Sequence, residues 1–142
     1  MRFKDKIVAI TGGSDGIGLA TAKAFAAEGA SVYITGRSQE RLDAAVALIG
    51  HGAVAVQGDA ARPGDLDRLY TQIQCDHGRL DVVFANAGIS ELEPRPLGTI
   101  TDDGFEQIFG LNVRGVLHTV QKALPLLPAT EPLITTAAPS TS

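Results

Sequence analysis

Short apolar runs alternate with segments of helical spacing along the first part of the chain. Runs of strand length, rich in β-branched residues, occupy 7–10, 31–35, 53–57 and 80–85. Between them, apolar residues recur at helical spacing over 17–28, from the candidate N-cap Ser38 to Gly50, and after Pro63. Strands that alternate with helices imply parallel pairing through right-handed crossovers. The sequence therefore predicts an α/β fold with a doubly wound, Rossmann-like parallel sheet.

A further helix is predicted over 105–124, after a proline-containing loop over 88–101. Thr101 and Asp102 are both candidate N-caps, and Pro125 ends the pattern. The predicted apolar stripe of this helix consists of Phe105, Ile108, Phe109, Asn112, Val113, Val116 and Val120. Other apolar residues lie between the stripe positions, so much of the helix surface is apolar.

The ending of the sequence has two interpretations. Residues 133–136 are the only strand-like run after residue 128, and they form either a poor fifth strand or part of a shifted, unrelated ending. We therefore predict a Rossmann-like domain over 1–128 and an atypical tail over 129–142, with the fold truncated after about five strands.

A glycine cluster follows the first apolar run. Gly12, Gly13, Gly16 and Gly18 stand between the strand and the alanine-rich helix, in a strand, turn and helix order. This order places backbone N–H groups and the positive end of a helix dipole at one point, which favours an anion such as a pyrophosphate. The alternative is a glycine-rich loop that only turns the chain.

Composition and charge exclude several classes of protein. The chain has 142 residues, 44% of them hydrophobic, and a net charge of -4, which argues against a nucleic-acid or anionic-membrane surface. No apolar run has the length of a membrane span or signal peptide, so we expect a cytoplasmic protein. The single cysteine, Cys75, has no partner for an internal disulfide. No metal site is predicted, because His51, His77 and His118 lack metal-ligand spacing.

The glycine cluster and a second motif resemble those of one family. Residues 11–18, TGGSDGIG, resemble the TGxxxGIG turn of short-chain dehydrogenases/reductases, and residues 86–88 resemble the NAG motif of that family. The resemblance runs from about residue 4 to about residue 127. It implies a nicotinamide dinucleotide cofactor and hydride transfer on an alcohol or carbonyl substrate. The cofactor-binding residues that we predict are Gly12, Ser14, Asp15, Gly16, Ile17, Gly18, Arg37, Asp59, Ala60, Asn86, Ala87 and Gly88.

The end of the second strand favours NADP(H) over NAD(H). An acidic residue about 20 positions past the glycines usually binds a free ribose 2′-hydroxyl, whereas a 2′-phosphate favours a cation. Here Gly36 and Arg37 stand at that place, and a guanidinium can bind a phosphate through two hydrogen bonds. The alternative is that Arg37 is a solvated turn residue.

Three polar residues each have more than one interpretation. Asp59 resembles the family aspartate that contacts the adenine amino group, but it also suits a cap or turn. Asn86 either ties neighbouring strands together or binds ribose, and a plain turn is the competing interpretation. Asn112, in the context NVRG, resembles the asparagine that holds a water in the proton relay of the family. Without the resemblance it is a satisfied core amide.

The catalytic residues of the family are largely missing from this sequence. The family uses a tyrosine and a lysine four residues later, yet Tyr33 is followed at that distance by Arg37 and Tyr70 by Gln74. The substrate-polarising serine has two alignments. Counting from the NVRG motif places it near Ser140, whereas alignment of 133–136 as the fifth strand places Ala138 there.

Two functional hypotheses follow. The chain is either a truncated form of an NADP(H)-dependent oxidoreductase or a dinucleotide-binding module without turnover; a methyltransferase-like Rossmann domain fits the residues 36–37 less well. An alcohol or carbonyl substrate is expected only if missing segments complete the pocket. In the family, the helix that matches 105–124 packs against its counterpart in another subunit, so we expect a homo-oligomer or self-association through it.

Overall fold

Five parallel strands form one sheet in the computed structural model, which describes residues 1–88 and 96–136. The strands are β1 (Ile7–Thr11), β2 (Ser31–Gly36), β3 (Val54–Gln57), β4 (Val82–Ala85) and β5 (Leu133–Thr136). They lie in the order β3-β2-β1-β4-β5, and every neighbouring pair is parallel. The predicted α/β class and doubly wound parallel sheet are confirmed. The strand order reverses between β1 and β4, which opens a crevice at their carboxyl ends.

Helices connect the strands. They are α1 (Gly16–Ala27), α2 (Gln39–Ile49), α3 (Pro63–Asp76), α4 (Asp102–Phe109) and α5 (Val116–Ala123). The Ser38 hydroxyl accepts a hydrogen bond from the Arg41 N–H at 3.3 Å, and Thr101 accepts one from the Gly104 N–H at 3.0 Å. Both side chains therefore cap helices, and of the two candidate caps of α4 the structure uses Thr101.

Helices cover both faces of the sheet. Along β1, Ile7 and Ala9 belong to one buried cluster, whereas Val8 and Ile10 belong to the other. The first cluster includes the apolar face of α3 and Ala123 of α5, and the second includes residues of α1 and α2. This alternation buries β1 on both sides, as expected of a central parallel strand.

The predicted single helix over 105–124 is corrected by the structure. Helices α4 and α5 are separated by a π-helical turn at Gly110–Gly115. The buried residues are Gly110, Leu111, Gly115, Thr119 and Ala123, whereas Ile108, Asn112, Val116 and Val120 of the predicted stripe are half-buried. Phe105, Phe109 and Val113 are instead exposed. Small residues bring this helix close to the sheet, and they leave the larger apolar side chains on its outer surface.

The fifth strand is formed. Leu133–Thr136 pairs with Val82–Ala85, and the Thr136 hydroxyl donates to the Ala85 carbonyl at 2.8 Å. All four residues of β5 are exposed. Of the two interpretations of the ending, the strand is therefore present, whereas the domain boundary at residue 128 stays a prediction. Residues 137–142, in which Ser140 and Ala138 fall, lie outside the described residues.

Candidate functional site

A cavity of about 540 Å³ lies at the carboxyl ends of β1 to β4. This volume is in the range of small-molecule sites, and the place is where open α/β sheets bind their ligands. The cavity brings together nine of the predicted cofactor-binding residues: Gly12, Ser14, Asp15, Arg37, Asp59, Ala60, Asn86, Ala87 and Gly88. Six further residues complete the lining: Thr35, Gly36, Ser38, Arg41, Gly58 and Leu111.

The glycine turn packs tightly between its neighbours. The N–H groups of Gly12 and Gly13 both donate to the Thr35 carbonyl, at 3.0 and 3.3 Å. Gly12 has a φ of +67°, and a Cβ built on it would lie 2.9 Å from the Ala87 Cα. A Cβ built on Gly18 would lie 2.1 Å from the Gly12 carbonyl oxygen. Glycine is therefore required at both positions for the turn to approach β4 and α1 this closely.

Asn86 joins the turn to the end of β4. Its side-chain amide donates to the Gly12 carbonyl at 2.9 Å, while the N–H groups of Asn86 and Ala87 both donate to Thr11 Oγ1 at 3.1 Å. The structure thus gives Asn86 the first of its two predicted roles, that of tying neighbouring strands. Thr11, 2% exposed, accepts both of these backbone bonds, a role that the sequence analysis missed.

The loop after β3 is held by two carboxylates. Asp59 Oδ1 accepts a hydrogen bond from the Ala61 N–H at 2.9 Å, which closes a turn. The Asp59 N–H in turn donates to Asp65 Oδ2 at 2.8 Å. Asp59 therefore fills the predicted turn role and still lines the cavity together with Ala60.

The end of β2 presents cations to the cavity. The Arg37 carbonyl accepts a hydrogen bond from Gln57 Nε2 at 3.0 Å, which fixes the backbone there, while the Arg37 side chain is exposed. A Cβ built on Gly36 would lie 3.5 Å from Ser14 Oγ, so the end of β2 adjoins the glycine turn. Arg41, in the first turn of α2, also lines the cavity. Arg41 was not among the residues predicted from the sequence, although it lies on the helix that starts at this same edge.

Three predicted residues of the glycine motif do not line the cavity. Gly16, Ile17 and Gly18 form the first turn of α1 beside it, and the Ile17 side chain is 53% exposed. Asn112 lies in the π-helical turn, whose neighbouring residue Leu111 does reach the cavity. Insertions of this kind occur frequently at functional sites.

Comparison with known proteins identifies the family. The sequence pattern of the family described as short chain dehydrogenase matches residues 6–132. The chain belongs to this family. Short-chain dehydrogenases are oxidoreductases that bind nicotinamide dinucleotides, which is the ligand class that the glycine turn and the position of the cavity indicate.

Relatives and solved structures agree with this assignment. The oxidoreductase asL5 of Sarocladium schorii is 48% identical over 126 residues, which are 89% of this chain and 50% of that protein. The galactitol 2-dehydrogenase of Agrobacterium fabrum is 36% identical over 121 residues, 85% of this chain and 46% of that protein. The Brucella melitensis 3-ketoacyl-(acyl-carrier-protein) reductase complexed with NADH has a TM-score of 0.82 at 32% identity and covers 87% of this chain and 51% of its own. The chain thus spans about half the length of the curated relatives that it matches.

Neither tyrosine of this short-chain dehydrogenase lies at the cavity. The Tyr33 hydroxyl donates to Asp76 Oδ2 and the Tyr70 hydroxyl donates to the Thr119 carbonyl, both at 2.6 Å. Burial raises the pKa of both phenols, and the hydrogen bond to Asp76 raises that of Tyr33 further. The same bond lowers the pKa of Asp76. Two buried, bonded phenols with raised pKa values are unsuited to act as general bases.

Two features are absent from the described residues, 1–88 and 96–136. No helix among them is both long and apolar enough to cross a membrane. Nor do any three histidine, cysteine, aspartate or glutamate side chains in this part of the chain cluster as a metal ion would need.

Proposed function

We propose that this chain forms the dinucleotide-binding part of an NADP(H)-dependent oxidoreductase that transfers a hydride between the nicotinamide and an alcohol or carbonyl carbon. The observation that carries the proposal is the position of Arg37 at the carboxyl end of β2, where it lines the cavity and where Gly36 and Arg37 stand in place of a carboxylate. The nicotinamide ring, when bound, supplies the hydride donor or acceptor.

The geometry of the cavity fits such a cofactor. The missing Cβ of Gly12 leaves the backbone open to a pyrophosphate beside the first turn of α1. No side chain caps that turn of α1, so its N–H groups are available to an anion. In this proposal Asp59 and Ala60, which line the cavity, contact the adenine, and residues 86–88, which also line it, contact the ribose. These residues would bind and orient the cofactor.

The preference for NADP(H) rests on charge. A phosphate monoester carries about −1.5 to −2 charges near neutral pH, and a guanidinium binds it through two hydrogen bonds. Arg37 offers that group with its backbone fixed by Gln57. A carboxylate in its place would repel the phosphate and accept a hydrogen bond from a free hydroxyl instead.

A titration tests this preference. The purified chain is titrated with NADPH and with NADH, and the two dissociation constants are compared for the wild type and for Arg37→Gln. We expect the wild type to bind NADPH more tightly and the variant to lose about tenfold in NADPH affinity, since a charge-assisted contact is removed. Lys23→Gln on the exposed side of α1 is the matched control and should leave both constants unchanged. Tighter binding of NADH by the wild type would show the proposal to be wrong.

A second candidate function is dinucleotide binding without turnover. It is favoured by the positions of Tyr33 and Tyr70, whose hydroxyls are bonded away from the cavity. The roles predicted for Asn112 and Ser140 in catalysis stay proposals. The chain is incubated with NADPH and a panel of carbonyl compounds. Binding without oxidation of NADPH supports this candidate, and turnover excludes it.

We also propose that the chain self-associates through the outer surface of α4 and α5. Phe105, Phe109, Val113 and Leu117 are each 46–56% exposed there, and the rings of the first two are stacked with centroids 4.3 Å apart. Such a continuous apolar surface favours burial against a second copy. A cytoplasmic location stays a prediction, which cell fractionation with an antibody to the chain would test.

A further inference from the structure

The side chain of Asp15 does not play the role that its position suggests. Asp15 is the N-cap residue of α1 and has the extended backbone of a capping residue, with φ −154° and ψ 178°. Aspartate at this position normally accepts a hydrogen bond from the first turn of the helix. Here it accepts none, and Oδ2 instead lies 3.6 Å from Nη1 of Arg41.

This ion pair joins two elements that line the cavity. Asp15 belongs to the glycine turn and Arg41 to the first turn of α2, and both line the cavity together with Arg37 and Ser38. The lining of the cavity thus includes two guanidinium groups, of Arg37 and Arg41, and two carboxylates, of Asp15 and Asp59. The positive charge available to a ligand there depends on whether Arg41 is paired with Asp15.

The pair is weak enough for a ligand to displace it. The side chains of Arg41 and Asp15 are 71% and 73% exposed, and exposed ion pairs of this kind contribute little to stability. A phosphate dianion offers more charge than a carboxylate and accepts two guanidinium hydrogen bonds. Arg41 can therefore exchange Asp15 for a phosphate at small cost.

We propose that Arg41 is a second cation for the ribose 2′-phosphate and that Asp15 competes with the phosphate for it. The two residues together then set the selectivity between NADP(H) and NAD(H). This inference rests on the proposed function, because it requires that the cavity binds the adenosine half of the cofactor beside Arg37. It assigns opposite effects to two neighbouring charges, which a merely structural pair would not have.

The test compares dissociation constants of the purified chain for NADPH and NADH, by calorimetry, in Arg41→Gln, Asp15→Asn and the double variant. Arg41→Gln is expected to lower the affinity for NADPH about tenfold and the affinity for NADH by less than about twofold, because only the 2′-phosphate loses a contact. Asp15→Asn is expected to raise the affinity for NADPH about threefold relative to that for NADH, because a competing anion is removed. In the double variant, most of that gain should be lost.

The adenosine half alone provides an independent readout. Adenosine 2′,5′-bisphosphate should compete with NADPH, and its affinity should be lower for Arg41→Gln than for the wild type. The affinity of adenosine 5′-monophosphate should be the same for both. Lys23→Gln is again the control for loss of a surface cation.

The outcomes separate this inference from the proposed function. The inference alone is overturned if the preference for NADPH depends on Arg37 but changes less than about twofold in Arg41→Gln. Weaker NADPH binding by Asp15→Asn, relative to NADH, also overturns it. A wild-type chain that prefers NADH, or that binds neither cofactor, overturns the proposed function and the inference with it.

Discussion

Replacing Gly18 by alanine tests whether the glycine turn depends on close backbone contact. A Cβ at this position would lie 2.1 Å from the Gly12 carbonyl oxygen and 2.5 Å from Asn86 Nδ2. These two atoms belong to the same hydrogen bond, 2.9 Å long, that joins the turn to the end of β4. The methyl group cannot be accommodated unless that bond opens and the turn moves.

The expected loss of stability follows from the two contacts. Opening the hydrogen bond costs about 1 kcal/mol, and forcing a methyl group into a tightly packed site costs about 1–3 kcal/mol. We therefore expect Gly18→Ala to lower the free energy of unfolding by about 2–4 kcal/mol. If the moved turn also loses about 1.4 kcal/mol of cofactor contacts, the dissociation constant for NADPH rises about tenfold.

Two other glycines provide matched controls. Gly64, in the first turn of α3, has no atom within 4 Å of a built Cβ and no positive φ, so Gly64→Ala should stabilise the chain by about 0.5–1 kcal/mol. Gly16 has equal space but a φ of +53°, so Gly16→Ala should cost only the backbone strain, about 1–2 kcal/mol.

Urea unfolding followed by circular dichroism measures the three variants under one condition. The expected order of stability is Gly64→Ala, wild type, Gly16→Ala and Gly18→Ala. The reasoning would be refuted if Gly18→Ala unfolded within about 0.5 kcal/mol of the wild type and bound NADPH with unchanged affinity.

The buried hydroxyl of Tyr70, the N-cap Thr101 and the exposed side chain of Leu117 each give a further test. Because burial raises the Tyr70 pKa, the free energy of unfolding should fall as pH rises above about 10. In urea titrations, the free energy of unfolding of Tyr70→Phe should be about 1–2 kcal/mol lower than that of the wild type at neutral pH. It should also fall less than that of the wild type at alkaline pH, and an equal fall would contradict this. Thr101→Ala removes the acceptor of the Gly104 N–H and should lower the free energy of unfolding by about 1 kcal/mol, and an unchanged urea midpoint would count against the cap. Leu117→Glu should reduce self-association in light scattering, whereas Leu48→Glu, at similar exposure on α2, should not. Equal effects of the two variants would exclude the α4–α5 surface as the site of self-association.

Elements with a local signal could be predicted from the sequence. The apolar residues of α3 recur at helical spacing, and Leu66, Leu69, Tyr70 and Ile73 are all buried in the structure. Ser38 was predicted to cap α2, and it does so. In each case the information lies within a few consecutive residues, and a helix period or a cap depends on nothing more distant.

Contacts between distant residues had no such signal. The Tyr70 hydroxyl bonds to the carbonyl of Thr119, 49 residues away, and nothing near either residue indicates the other. Arg41 was missed for a similar reason, because its place at the cavity depends on how α2 packs beside the glycine turn. The cofactor-binding set over 12–18 was predicted as one group, yet the structure divides it between the cavity and the first turn of α1.

The inward face of the helix over 105–124 was predicted only in part, because hydrophobicity alone does not measure how closely two segments approach. A Cβ built on Gly115 would lie 3.0 Å from the Ala60 carbonyl oxygen, so this close contact with the loop that carries Asp59 favours glycine. The Thr119 hydroxyl donates to the Gly115 carbonyl at 2.6 Å and satisfies that group within the helix. A larger apolar residue at Gly115 would hold the helix away from the cavity, and Leu111 with it. The inward face is therefore set largely by small residues, and Phe105, Phe109 and Val113, which a periodic pattern assigns to the core, are left exposed.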